Sequence, residues 1–425
     1  MPHTRKPINS SAGLMQDYDP NAMSVAKAKL FIQQYLSPLT ECETVDLKGS
    51  LGRALAEAVV SPAQVPNYDN SAMDGYAFNS LDLVAIGLTK LSLIGTAYAG
   101  KAFEQPVQQG QCVRIMTGAM MPSGTDSVMV QEKVSLENGS VCFSAPPNSK
   151  MNVRYAGEDL SIGQTVLPQG HLMQAADLGL LASLGIAKVK LYRKLKVAFF
   201  STGDELAGIG QALKIGQVYD SNRYTLYGML SRLGVDILDL GAIADDPVLL
   251  EKTLLAATQQ ADVVITSGGV SVGEADHMKQ LLSKHGQVVF WKIAMKPGRP
   301  LAYGKIGHAH YFGLPGNPVA VMVTFYQFVR EALLRLMGQA HPLALPTFHV
   351  VCTEAIKKQT GRTEFQRGIL FTDQDGTWKV KPTGMQGSAI LSSMSKANCF
   401  IVLDEQVGNL GAGATVAVQV LHGLI

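Results

Sequence analysis

From about residue 190 the chain alternates between short apolar runs and longer segments whose apolar positions recur three and four apart, the pattern of strand and helix in turn. "KLKVAFF" (194–200) predicts a strand. "RYTLYGMLSRLG" then puts Leu226, Met229, Leu230 and Leu233 on one helical face. "VDILDLGAI" reads as the next strand, and "DDPVLLEKTLLAATQQ" as a helix capped by Asp246 and opened by Pro247, whose missing N–H is tolerated in a first turn. "ADVVIT", "HMKQLLSKHG" and "QVVFWKIAM" continue the alternation, and a last apolar helix runs "VAVMVTFYQFVREALLRLMG". Such units predict a doubly wound α/β domain, a parallel sheet with helices on both faces.

The flanking regions have another texture. Residues 1 to about 20 are polar and hold Pro2, Pro7, Ser10, Ser11 and Gly13, which reads as a loosely ordered tail. "NAMSVAKAKLFIQQYL" is helical in pattern. From about 61 to 148 the pieces are short and β-prone, among them "KLSLIGTAYAG", "QCVRIMTG", "DSVMVQEKVSL" and "VCFS", with "ENGS" as a hairpin turn, and predict a small β domain. Beyond Pro342 the strands "FHVVCTEAI", "FQRGILFTD", "WKVKPTG", "CFIVLDE" and "TVAVQVL" predict a terminal β domain.

Composition narrows the function classes. A chain of 425 residues divides into three or four domains, and its charge of +2, from 36 basic and 34 acidic residues without a long basic run, gives no support to a nucleic-acid surface. Five scattered cysteines with no C-x-x-C pair argue against a zinc site and a disulfide framework, and point to a reduced, cytoplasmic protein. The N-terminus has no apolar run behind its basic residues, and the apolar run 178–187 stops at Lys188, so neither export nor a membrane span is expected.

Four unusual loops each follow an apolar strand: "STGDEL" (201–206), "SGGVSVGEAD" (267–276), "KPGRP" (296–300) and "PGNP" (315–318). Ligands of open parallel sheets bind at the carboxyl ends of the strands, so all four are expected on one edge. Glycines there admit close backbone approach, and the helix that follows offers N–H groups to an anion. Asp204, Glu205, Glu274 and Asp276 suit a hard divalent cation, and Lys292, Lys296 and Arg299 suit anions. Lys292 and Lys296, four apart on one strand, are expected to share a face. Each residue also has a plain structural reading: Asp220, Asp246 and Asp276 as helix caps, the lysines as solvated surface. "VPNYDNSAMDGYAF" (65–78), with Asp74, and "RIMTGAMMPSGTD" (114–126), with Thr117, are too polar for core strands, and each reads equally as turn chemistry.

Taken in order, "DNSAMDGYA", "RIMTGA", "RYAGEDL..G", "STGDEL", "YDSNR", "TSGGVSVGEAD", "KPG.P", "GLPGNP" and "QGS" resemble the molybdopterin molybdenumtransferases, the bacterial MoeA proteins and the E domain of gephyrin, from about Gly13 to the C-terminus. Arg299 stands in "KPGRP" where a second lysine is common in that family. The resemblance implies a tail (1–13), a discontinuous domain I (14–60 and 149–189), an inserted β domain II (61–148), the α/β molybdopterin-binding domain III (190–340) and a C-terminal β domain IV (341–425). It implies an elongated homodimer that inserts molybdate into adenylylated molybdopterin with magnesium and releases AMP. Its site is expected between the α/β domain of one subunit and β domains of the other.

The implied catalytic residues are Asp74, Glu205, Asp245, Asp276, Lys292 and Lys296, with Glu205, Asp245, Glu274 and Asp276 toward the metal. The implied cofactor-binding set is Thr117, Asp159, Ser201, Gly203, Asp220, Ser267, Gly268, Gly269, Ser271, Gly273 and Arg299, together with Pro315, Gly316, Asn317, Pro318, Arg367 and Ser388. A molybdopterin adenylyltransferase and molybdoenzyme or cofactor-delivery proteins are the expected partners. Two rival readings are a nucleotide pyrophosphatase, which needs only the α/β domain and leaves "DNSAMDGYA" and "QGS" idle, and a gephyrin-like scaffold, which does not require the acids and lysines.

Overall fold

The computed structural model describes residues 22–144, 150–269, 277–340 and 344–421. It divides into two compact units, one of residues 1–43, 52–56 and 191–425, the other of residues 44–51 and 57–190.

The larger unit is built on a six-stranded sheet. Its strands are β1 (Lys196–Thr202), β2 (Asp236–Ile243), β3 (Val263–Ser267), β4 (Gln287–Lys292), β5 (Pro300–Ile306) and β6 (Ala309–Leu314), in the order β2-β1-β3-β6-β5-β4. β2, β1, β3 and β6 pair in parallel, while β5 is antiparallel to both neighbours. The sheet is therefore parallel except for β5, which turns back into β6 through Gly307 at φ 61°. Helices α1 (Ser221–Leu233), α2 (Pro247–Gln260), α3 (His277–His285) and α4 (Pro318–Thr324) cover it.

Strand alternation sorts the two cores. Val197 and Phe199 face one side with Leu226, Met229 and Leu230 of α1, whereas Ala198 and Phe200 face the other with Leu250 and Leu254 of α2 and Leu281 and Leu282 of α3. This is the doubly wound arrangement. Two of the three predicted caps are in place, Asp220 accepting from the Arg223 N–H at 3.1 Å and Asp246 from the Leu249 N–H at 2.7 Å, while Asp276 lies outside the described residues. The last apolar helix is interrupted, since α4 passes through a wider π-type turn, Phe325–Val329, into a helix Arg330–Leu336.

The helix predicted near the N-terminus spans Val25–Gln34. It packs against the α/β core through Ala28 and Ile32. Gln33 also donates to Glu331, and the backbone of Met23 bonds to Lys292 and Ala294 on either side.

In the same unit the strands Thr363–Thr372, Trp378–Pro382, Thr347–Cys352, Thr415–Val420 and Cys399–Leu403 pair in that order, and the last pairs back with the first. The sheet thus closes on itself and leaves no free edge within the ring. Thr363–Glu364 also pairs in parallel with a two-residue strand, Met295–Lys296. The smaller unit holds a third six-stranded sheet, formed by strands from Gly75–Phe78 to Ser140–Ser144, and the predicted hairpin turn has Asn138 and Gly139 at φ 47° and 77°. Among the described residues no helix is long and apolar enough to cross a membrane.

Candidate active site

Ser201 at the end of β1 lies opposite Ser267 at the end of β3, which lies opposite Leu314 at the end of β6. Lys292 at the end of β4 is paired with Pro300. The four loops therefore leave one edge of the sheet, as the alternation predicts. They border a cleft of about 850 Å³, closed on its far side by Arg362, Gln386, Gly387 and Ser388 next to the C-terminal sheet. Of the expected residues, Gly203, Glu205, Asp245, Gly268, Gly269, Lys296 and Arg299 line it, with Pro315, Gly316, Asn317, Pro318 and Ser388.

Tight backbone turns shape the floor. Gly268 has φ +89°, and a Cβ there would stand 2.6 Å from the Thr202 carbonyl oxygen, so only glycine fits. Asn222, in the first turn of α1, donates to the Ser267 hydroxyl at 2.8 Å and to the Gly316 carbonyl at 2.6 Å. One amide thus ties the loops after β3 and β6 to the helix between β1 and β2. Ser201, Ser267 and Asp220 are buried and stand behind the wall instead of lining it.

Buried polar atoms collect here. The Ser201 Oγ, Thr202 Oγ1, Asp220 Oδ2, Asn222 Oδ1 and Thr324 Oγ1 are enclosed and have no hydrogen-bond partner among the described residues. Native proteins rarely leave such atoms unpaired without a functional reason.

One wall is acidic. Asp204 accepts from the Asp245 N–H at 3.0 Å, which draws the loops after β1 and β2 together. Partial burial and the neighbouring Asp204 and Glu205 charges raise the Asp245 carboxyl above the usual aspartate range. Among the described residues no three histidine, cysteine, aspartate or glutamate side chains are arranged to hold a metal ion. Ser271, Gly273, Glu274 and Asp276, expected at this wall, lie outside the described residues.

The opposite wall carries cations. Lys296 donates to Glu364 at 3.4 Å, and Arg299 and Arg362 complete the set. The expected pairing of Lys292 with Lys296 on one strand is not found. The Met295 N–H bonds to the Ile293 carbonyl and turns the chain after β4, so Lys296 belongs to the short strand on the C-terminal sheet, and Lys292 does not line the cleft.

Arg367 is likewise not an oxyanion contact. It is 1% exposed, its Nε donates to Ser393 at 2.9 Å and its Nη2 to the Gly387 carbonyl at 3.0 Å. Burial lowers its pKa to about 10. The guanidinium pins the loop that presents Ser388. Gln386 reinforces it, accepting from the Arg367 N–H at 2.7 Å and donating to its carbonyl at 3.1 Å.

Thr202, Arg362 and Gln386 line the cleft without having been singled out. Thr202 and Gln386 sit inside stretches already quoted, and Arg362 follows a glycine at the start of "GRTEF", a basic residue at a strand entrance.

Three expected residues lie on the smaller unit. Asp74 accepts from both the N–H and the hydroxyl of Thr117, at 2.7 and 2.8 Å, and these bonds hold its carboxyl below the usual range. Asp159 is exposed, and its N–H bonds to the Val65 carbonyl.

Three family models match consecutive regions: the MoeA N-terminal region (domain I and II) over residues 23–185, a probable molybdopterin binding domain over 198–335, and the MoeA C-terminal region (domain IV) over 349–421. The molybdopterin molybdenumtransferase of Haemophilus influenzae is 48% identical over 387 residues, covering 91% of this chain and 95% of its own length. That of Nostoc is 35% identical over 410 residues, covering 95% and 93%. The crystal structure of a molybdopterin biosynthesis MoeA protein from Pyrococcus horikoshii superposes with a TM-score of 0.82 at 27% identity, over 94% of this chain and 100% of that one. With its three regions matched in order and its curated relatives covered almost end to end, the chain belongs to the molybdopterin molybdenumtransferase (MoeA) family of molybdenum cofactor biosynthesis enzymes.

Proposed function

We propose that the chain catalyses the magnesium-dependent insertion of molybdate into adenylylated molybdopterin, with release of AMP. The observation that carries this reading is one cleft with carboxylates on one wall, Glu205 and Asp245, and cations on the other, Lys296, Arg299 and Arg362. A substrate with a phosphate linkage and a tetrahedral dianion needs both signs within one enclosure.

The acid wall fits magnesium, which is held by one or two carboxylates together with substrate phosphates and water. Burial first, and then the Asp204 and Glu205 charges, raise the Asp245 carboxyl, and a divalent charge beside these carboxylates would relieve the second cause. Bound there, the ion supplies charge neutralisation at the phosphate linkage. Glu205 and Asp245 hold that end of the substrate. Gly268 and Gly269 leave room for backbone to approach the phosphate above the floor to which Thr202 contributes. Lys296 and Arg362 attract the incoming oxyanion and stabilise charge on the departing phosphate. Water attacks phosphorus, the bond to the bridging oxygen breaks and AMP leaves; the two dithiolene sulfurs bond molybdenum in place of one molybdate oxygen, which departs as water with the two thiol protons.

The same reading extends to a homodimer in which Asp74 of one subunit serves the cleft of the other, to an adenylyltransferase as supplier and cofactor-delivery or molybdoenzyme acceptors downstream. A reducing, cytoplasmic location suits five free cysteines.

The test supplies purified protein with adenylylated molybdopterin, molybdate and magnesium, and follows AMP and active cofactor together. Equal AMP release with and without molybdate, and no cofactor, would assign a pyrophosphatase instead. Mixed dimers of Asp74→Ala and Lys296→Ala subunits test the shared site. They should recover about half of wild-type activity per dimer, since one of the two composite sites stays intact. Dimers as inactive as either parent would confine each site to one subunit.

A further inference from the structure

Glu364 is 3% exposed and lies on the strand Thr363–Thr372, opposite Lys296 in the parallel register. Its two carboxylate oxygens are used differently. Oε1 accepts from Lys296 Nζ at 3.4 Å, and Oε2 from Gln366 Nε2 at 3.0 Å. The Gln366 amide is itself fixed by donating to the Lys357 carbonyl at 3.1 Å. The other cation close by, Lys358, is spent on the carbonyls of Gln359 and Val407. Lys296 is thus the one partner of Glu364 shown here that also faces the cleft, and Glu364 itself does not line it.

We infer that Glu364 is a positioning residue for the oxyanion step, a buried carboxylate that holds the Lys296 ammonium at the cleft wall before the oxyanion arrives. This rests on the reading of Lys296 as an oxyanion-binding group. A lysine stem of four carbons has wide rotamer freedom, and the Lys296 side chain is half-exposed, so without a tether the ammonium samples solvent. A buried carboxylate stripped of its cation is strongly disfavoured, so the pair stays together. An ammonium has three donors; with one committed to Glu364, two remain for an anion. The dianion then meets a charge already in place, and the ordering of the side chain is not charged against binding.

The experiment uses the full-length protein and reads two quantities, the molybdate concentration for half-maximal insertion at saturating adenylylated molybdopterin, and molybdate binding by calorimetry. Glu364→Gln keeps the shape and the Gln366 contact and removes the charge. It is expected to raise the half-saturating molybdate about tenfold, the size of coupling ordinary for neighbouring residues, and to weaken binding in parallel. The plateau rate should fall by less than the half-saturating concentration rises, because the tether acts first on the approach of the anion. Added to Lys296→Ala, Glu364→Gln should change nothing further.

A wild-type titration for Glu364→Gln, or the same fold-loss on the Lys296→Ala background, overturns the inference and returns Glu364 to a structural role. If Lys296→Ala itself titrates as wild type, the reading of Lys296 falls first. Should Glu364→Gln yield no folded protein, Glu364→Asp carries the test. It retracts the charge by one methylene, and a smaller rise in half-saturating molybdate is expected; no rise refutes the inference.

Discussion

Gly298→Ala isolates how tightly the cationic wall is built. Gly298 sits between Lys296 and Arg299 at φ +94°, and a Cβ there would stand 2.5 Å from Thr324 Oγ1. Thr324 is fully buried at the end of α4, and its β-branched side chain has few rotamers to turn to. An ordinary carbon–oxygen contact is about 3.3 Å, so the loop or the helix must retreat by roughly 0.8 Å. Overpacking of this kind costs about 1–3 kcal/mol. The left-handed backbone adds about 1–2 kcal/mol for any L side chain. The substitution should therefore destabilise the unit by roughly 2–5 kcal/mol.

Thr324→Ala separates the two terms. It deletes the colliding hydroxyl, which has no partner among the described residues to lose, so alone it should cost about 1 kcal/mol for the missing methyl. Combined with Gly298→Ala it should give back the overpacking and leave only the backbone strain, a coupling of roughly 1–3 kcal/mol. Urea titration followed by tryptophan fluorescence suits the question, because both tryptophans, Trp291 and Trp378, belong to the unit that contains the loop. Half-saturating molybdate should rise with Gly298→Ala and fall back in the double variant. Gly298→Ala within about 0.5 kcal/mol of wild type, or strict additivity, refutes the argument.

Two further perturbations test the walls. Asp245 has a folded-state pKa raised by burial, then by Asp204 and Glu205, so its ionised form is disfavoured in the fold and stability declines as pH rises from about 3.8 through the raised value. Asp245→Asn should accordingly melt higher than wild type at pH 7 without magnesium, show no such gain well below the carboxylate range, and need more magnesium for half-maximal AMP release. Equal melting at both pH values would contradict the crowding. Arg367→Met should lower stability by roughly 2–4 kcal/mol, because it strips charged donors from Ser393 and from the Gly387 carbonyl. An unchanged melting curve with a large rise in half-saturating molybdate would restore Arg367 as an oxyanion contact.

The sequence made the scaffold legible where periodicity is strong. Leu226, Met229 and Leu230 face the core as their spacing requires, Asp220 and Asp246 cap the helices they precede, and the loops after β1, β3 and β6 share an edge. What failed was register over distance. Arg362 reaches the cleft, and Glu364 reaches Lys296, only because Met295–Lys296 pairs with Thr363–Glu364, and no local pattern joins segments so far apart. Lys292 and Lys296 were expected on one face because an unbroken strand was assumed, and a single Met295-to-Ile293 hydrogen bond breaks it. β5 was hidden for a similar reason: "PLAYGKI" lies between two proline-glycine loops and reads as connection until its hairpin with β6 is seen. Arg367 shows the converse error. An arginine in a quoted motif invites an anion, yet at 1% exposure it has already spent its donors on the chain.

Ser267 and Ser201 make the division of labour at the sheet edge concrete. They are paired residues at the ends of neighbouring strands, equally buried, and differ in one respect: the Ser267 hydroxyl accepts from Asn222, while the Ser201 hydroxyl has no partner among the described residues. A fold selected only for stability would treat them alike, since an enclosed unpaired polar atom costs about 1–3 kcal/mol. The same contrast runs within single side chains. Asn222 satisfies its amide N–H groups and leaves Oδ1 unpaired; Asp220 satisfies Oδ1 through its cap and leaves Oδ2. In each case the bond that fixes the backbone is made and the other is withheld. The scaffold is thereby rigid where it must hold its loops, and the atoms left over lie in the buried layer behind the cleft wall, out of reach of anything bound in it.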